Sequence, residues 1–165
     1  MKHLLSFIVL LFLMPAFSQD IKISKGDFEA NVSSILSRGE IDLETRFGAF
    51  IADYLQVGLD VGYTDTDFLS RLDLGVYGTR FFETRTYAIP YAGLGMGYST
   101  LDGGGEGDFS GVSFSLLLGV RYYLAENVAL NTEVRSAWAT DKTFIDSDRA
   151  VDTEFSLRVG LSYLW

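Results

Sequence analysis

The chain has 165 residues, no Cys and a single His, with 22 acidic against 13 basic side chains and a formal charge of −9. That length supports one domain. The missing thiols exclude disulfides and cysteine chemistry, and the acidic balance argues against nucleic acid or an anionic membrane surface as partner.

Residues 1–18 have the form of a secretory signal peptide. Lys2 and His3 give the polar start, Leu4 to Met14 the apolar run, and Ala16-Phe17-Ser18 the small-x-small cleavage pattern. The apolar run is too short to cross a bilayer as a helix. Cleavage after Ser18 removes Lys2 and leaves 12 basic against 22 acidic side chains, a formal charge of −10. It also removes His3, so the mature chain lacks His acid–base catalysis, a Ser-His-Asp triad and any His metal ligand. Carboxylate-only hydrolysis is the enzymatic chemistry that composition leaves open, and the expectation is a non-enzyme with no cofactor.

From there to the end, apolar and polar residues alternate, with turn chemistry between the runs. Eight strands are predicted, at roughly 27–36, 40–51, 55–64, 69–81, 87–100, 110–124, 128–139 and 151–165. Ala52-Asp53, Glu83-Thr84-Arg85 and Ala125-Glu126 lie in short turns, whereas Leu101 to Phe109 and Thr140 to Ala150 form longer polar connections. Short turns on one side and longer loops on the other fit a transmembrane barrel. With eight strands both termini fall on the short-turn side, expected to be periplasmic. Phe50-Ile51-Ala52-Asp53-Tyr54-Leu55-Gln56-Val57 and Tyr123-Leu124-Ala125-Glu126-Asn127-Val128-Ala129-Leu130 share one pattern, which predicts the same hairpin used twice.

The two strand faces differ in chemistry. One carries residues such as Leu59, Val61, Leu74, Leu94, Met96, Leu116, Leu118, Leu161, Tyr163 and Trp165. Its aromatics gather towards strand ends, where interfacial rings are favoured. The other mixes glycines with Asp42, Glu44, Arg46, Asp60, Arg71, Asp73, Arg121, Glu133, Arg135, Glu154 and Arg158. A soluble barrel of lipocalin type also alternates, with the apolar face inside. The signal peptide, the terminal Trp and the charge-plus-glycine face favour lipid outside and charge inside. An eight-stranded lumen is just wide enough for side chains to fill, so its charges are expected to pair. The paired charges suit a static filling of the lumen or a gate that exchanges partners. Leu161→Asp, a charge on the lipid face, is expected to weaken insertion by about 2 kcal/mol or less in a bilayer-folding titration.

Pro90-Tyr91-Ala92-Gly93-Leu94-Gly95-Met96-Gly97-Tyr98, the paired aromatic-apolar-Ala-acid turns and the ending Leu161-Ser162-Tyr163-Leu164-Trp165 together resemble the outer-membrane β-barrel domain family, which includes the barrels of outer-membrane protein A and outer-membrane protein X. The resemblance spans the mature chain. It implies an all-β fold, an eight-stranded antiparallel up-and-down transmembrane barrel over residues 19–165, in the bacterial outer membrane. It further implies a structural or surface-interaction role, or a narrow porin-like channel for ions or small solutes. Leu161, Tyr163 and Trp165 resemble the C-terminal signal read by the barrel-assembly machinery, with Trp standing where Phe is usual. Expected partners are outer-membrane lipid, lipopolysaccharide and that machinery; a monomer is expected.

Gly93-x-Gly95-x-Gly97 does not have dinucleotide-fingerprint spacing, and no helix follows it. Asp102, Glu106 and Asp108 flank and interrupt a glycine run, a pattern open to two readings: a hard-cation loop or a flexible acidic loop. Asp65, Asp67, Asp141, Asp146 and Asp148 add acid to the other long connections.

Overall fold

The computed structural model describes residues 23–35, 41–66, 69–102, 108–146 and 149–165. The signal peptide at 1–18 therefore lies outside the described residues, as do Asp67, Glu106 and Asp148. The described residues form ten strands: β1 (Phe28–Ile35), β2 (Ile41–Ala52), β3 (Leu55–Asp65), β4 (Ser70–Phe81), β5 (Ala88–Asp102), β6 (Phe109–Ala125), β7 (Val128–Ala139), β8 (Phe144–Asp146), β9 (Arg149–Val151) and β10 (Thr153–Leu164). Eight of them close antiparallel into a barrel in the order β1-β10-β7-β6-β5-β4-β3-β2. Phe28 and Trp165 exchange backbone bonds of 3.0 and 3.1 Å where the first and last barrel strands meet. Closure leaves the barrel sheet without a free edge among the described residues, the condition for crossing hydrocarbon with strands.

The last predicted strand and the connection before it differ from the sequence reading. Residues 151–165 do not form one strand. The barrel strand begins at Thr153, and β8 and β9 form a separate hairpin within the long connection. That connection is also less polar than its composition suggests: Thr143 and Phe144 are buried. Ala139 N–H bonds to Asp152 O and Thr140 N–H to Val112 O, which pins its base to the barrel rim.

The repeated turns are one device. The register shifts between Phe50 and Ala52 in the first and between Tyr123 and Ala125 in the second. The extra residue of a bulge bends each strand at its turn. The residue before each shift, Phe50 or Tyr123, turns inward and is buried. Tyr54 follows the first bulge with φ of 60°, the left-handed conformation that closes such a hairpin.

Outward residues are apolar: Leu59, Leu74, Leu94, Leu118, Phe155 and Leu161 are all more than half exposed. Phe28, Tyr163 and Trp165 stack at the short-turn end, with ring centroids 6.3 and 6.1 Å apart. This places Leu161, Tyr163 and Trp165 together on the outer face. An apolar exterior of this extent is stable only against lipid.

Candidate functional site

The lumen is built by the same alternation. Strands of period 2 put Glu29, Asp42, Glu44, Arg46, Asp60, Arg71, Asp73, Arg121, Glu133, Arg135, Glu154 and Arg158 on the inner face. Ladder pairs such as Arg46↔Asp60 and Arg158↔Glu133 fix their heights. Small residues between them make room. A Cβ on Gly75 would lie 2.7 Å from both carboxylate oxygens of Asp60, and one on Gly48 2.6 Å from the Tyr77 hydroxyl. Gly119 stands against the Tyr91 ring, and a Cβ there would also meet Thr132 O at 2.7 Å. Gly119→Ala is expected to cost about 1–3 kcal/mol, because Tyr91 must abandon its place and the wall cannot give. A urea-unfolding midpoint in vesicles measures it.

The ion pairs cross the lumen. Arg46 on β2 bonds Glu133 on β7 through both terminal nitrogens, at 2.8 and 2.9 Å. Arg135 on β7 bonds back to Glu44 on β2 at 2.7 Å. Arg158 on β10 meets Glu44 at 2.6 Å and Glu154 at 3.2 Å. Arg71 on β4 reaches Glu154 on β10 at 2.9 Å and Asp73 at 2.6 Å. In the barrel order, β4 and β10 stand opposite each other. Glu44 lies at the centre, since Arg46 also sits 2.6 Å from it. All these carboxylates and guanidinium groups are largely shielded from water, where charge-assisted bonds are strongest.

Two acids named from the sequence are held less closely by arginine. Asp42 receives a hydrogen bond from Thr64 at 2.7 Å and lies 3.9 Å from Arg158. Asp60 is buried over Gly75 and forms no ion pair among the described residues.

Nearer the short-turn end the lumen changes to hydrogen bonds. Glu29 pairs with Arg121 and accepts from Gln56 at 2.7 Å. Arg121 Nε donates to Asn131 Oδ1 at 2.9 Å, and Asn131 and Asn31 both donate to Ser162. Glu29, Asn31, Gln56, Asn131 and Ser162 were not singled out from the sequence. The signal was present in β1, where Phe28, Ala30 and Val32 point outward and leave Glu29, Asn31 and Ser33 inside.

Apolar side chains are buried at both ends. At the short-turn end Ile23, Phe50, Phe81, Ile89, Tyr91, Tyr123, Ala129 and Leu164 form one buried cluster. Ile23 arrives from the segment before β1, which Gly26 turns at φ of 99°. Gly26 N–H bonds Phe50 O at 2.8 Å and Lys25 N–H bonds Asp53 at 2.9 Å, so the segment is tied across the mouth. At the opposite end Phe144 is buried with the Arg71 guanidinium 5.2 Å from its ring centre, and Leu69 and Leu101 are buried too. Beside the short-turn cluster a cavity of about 30 Å³ remains, lined by Glu29, Asn31, Arg121 and Asn131 among others. That is room for a water molecule or two.

Asp102 and Asp108 line one shallow hollow with Tyr63 and Tyr98. Among the described residues no group of three acids, His or Cys is arranged to hold a metal ion.

Comparison with known proteins gives the same architecture. The outer membrane protein beta-barrel domain matches residues 13–163. No curated protein matches the chain. Among solved structures, the neisserial surface protein NspA superposes with a TM-score of 0.63 at 17% identity, covering 84% of this chain and 93% of that one. The N-terminal β-barrel domain of Pseudomonas aeruginosa OprF gives a TM-score of 0.65 at 13% identity, covering 87% and 99%. The outer membrane protein OprG of the same organism gives 0.56 at 17% identity, covering 89% and 99%. A closed eight-stranded barrel, apolar outside and charged within, and a family match over nearly the whole chain agree: this protein belongs to the outer membrane protein β-barrel domain family and is a bacterial outer-membrane barrel.

Proposed function

We propose that this protein is a non-enzymatic, monomeric outer-membrane barrel with a structural or surface-interaction role, its lumen closed to solutes by Arg–carboxylate pairs. The observation that carries this reading is the ion-pair chain from Glu133 through Arg46, Glu44, Arg158 and Glu154 to Arg71, which joins β7, β2, β10 and β4 across the lumen. The apolar cluster at the short-turn mouth and the buried Leu69, Leu101 and Phe144 at the other end support it. A solute would have to break several buried charge pairs, each strong in the absence of water. The short-turn end faces the periplasm in this reading, and the long connections face lipopolysaccharide outside. Leu161, Tyr163 and Trp165 serve the assembly machinery, whose binding they favour by lying together on the outer face.

A second reading, a narrow gated channel for ions or small solutes, has its own observation. Asp42 Oδ1 and Arg121 Nη1 are buried without hydrogen-bond partners among the described residues, and a water-sized cavity adjoins Arg121. Single-channel recording of the refolded mature chain in a planar bilayer separates the two. A silent bilayer, with folding shown by a heat-dependent gel shift, is the expected result. Reproducible steps altered by Arg71→Ala or Arg121→Ala would overturn closure and make the charge network a gate.

A further inference from the structure

Charge inside the barrel is not balanced one for one. Arg46 takes Glu133, Arg71 takes Asp73, Arg121 takes Glu29, Arg135 takes Glu44 and Arg158 takes Glu154. Asp42 and Asp60 are left over. Asp42 still has the Thr64 hydroxyl at 2.7 Å and Arg158 at 3.9 Å. Asp60 is 7% exposed and has neither an ion pair nor a hydrogen bond among the described residues. A buried carboxylate without a partner is costly. Arg46 is its ladder neighbour, but turns Nε to Glu44 and both terminal nitrogens to Glu133.

The wall beside Asp60 is bare. Its ladder partner on β4 is Gly75, which pairs with Gly97 on β5, which in turn pairs with Ser113 on β6. Asp60 leans over Gly75, as the clash with a Cβ there shows. A Cβ on Gly97 would lie 3.3 Å from Ser113 Oγ and 3.5 Å from Gly75 Cα. Carboxylate and hydroxyl thus lean towards each other over two adjacent glycines, about one strand spacing apart, roughly 5 Å. One step nearer the short-turn end, a Cβ on Gly95 would lie 2.5 Å from Ser115 Oγ. Ser113 and Ser115 are buried, and neither hydroxyl has a hydrogen-bond partner among the described residues. On the other side of the bay Asp73 bonds Ser99 and Arg71, so both its oxygens are engaged. The bay offers one free negative charge and two neutral oxygens.

We propose that this bay binds a single alkali-metal cation, held by Asp60 together with Ser113 and Ser115. A hard cation takes oxygen ligands at about 2.3–2.6 Å, so two contacts span the gap from Asp60 to Ser113. One free carboxylate matches one positive charge. A divalent ion gathers several carboxylates, and the described residues supply no such group. The ion completes the filling of the lumen where the arginines stop short.

Urea unfolding from phosphatidylcholine vesicles tests it, with the full mature barrel refolded separately in sodium chloride and in N-methylglucamine chloride of equal ionic strength. N-methylglucamine is a cation too large for the bay. The wild type should unfold at lower urea in N-methylglucamine, where Asp60 has no counterion. Asp60→Asn should show one midpoint in both salts, equal to that of the wild type in sodium, because a neutral amide needs no cation. Asp42→Asn should keep the sodium response. Ser113→Ala should raise the sodium concentration needed for it severalfold. In crystals grown with thallium(I) in place of sodium, an anomalous peak should lie between Asp60 and Ser113. Equal wild-type midpoints in the two salts, a sodium response that survives in Asp60→Asn, or a lumen without a thallium peak would each overturn the site. A response to calcium but not to sodium would overturn its assignment to a single positive charge.

Discussion

Replacing Glu44 with Gln is expected to destabilise the barrel by about 3–5 kcal/mol, the scale of breaking a buried ion pair by removing one partner. The reason is its position. Three arginines converge on this one carboxylate, Arg46 and Arg158 at 2.6 Å and Arg135 at 2.7 Å. Arg46 keeps Glu133 and Arg158 keeps Glu154 when Glu44 is neutralised. Arg135 has no second ion pair among the described residues and is left as an uncompensated cation away from water. The amide of Gln supplies an acceptor but no charge, so the shape survives while the electrostatics does not. Urea unfolding from vesicles, read by tryptophan fluorescence, measures the loss. Asp60→Asn is the control. Asp60 is equally inside but forms no ion pair, so removing its charge strands no cation, and the midpoint should not fall. Equal losses in the two variants would mean that lumen charge acts as a diffuse field rather than through pairs, and would sink the specific role given to Glu44.

Phe81→Ala is expected to cost about 3–5 kcal/mol, as truncation of a buried Phe does elsewhere. Phe81 is 2% exposed and packs against Phe50 and Tyr91, with ring centroids 5.6 and 5.2 Å away. The Arg121 guanidinium also lies 4.4 Å from its ring centre. Truncation therefore opens a cavity and removes the aromatic face that covers a buried cation. It should leave single-channel recordings silent, because the ion pairs higher in the lumen remain. Combined with Glu44→Gln, it should yield conductance steps. Steps from Phe81→Ala alone would show that the short-turn cluster, and not the charge network, is what closes the lumen.

Much of this architecture was legible because strand periodicity is local. Alternation of the kind seen in Leu157-Arg158-Val159-Gly160-Leu161 specifies both the strand and its two faces without reference to any distant residue. The repeated Ala-acid turns were legible for the same reason, since a bulged hairpin is set by the residues within it. The buried Phe144 was not legible. Its connection reads as polar, and only the barrel rim beneath it supplies the Arg71 guanidinium on which the ring sits. Ile23 was missed likewise, because its burial depends on Phe50 and Asp53 holding the segment over the mouth.

The sequence by itself determined that the strands are amphipathic, that lipid meets one face, and that arginines and carboxylates share the other. Which arginine meets which carboxylate was decided by closure. Arg46 and Glu133 are 87 positions apart and Arg121 and Glu29 are 92 apart. Their meeting requires the stagger of eight strands around a narrow lumen, which fixes the height of every inward residue relative to those opposite.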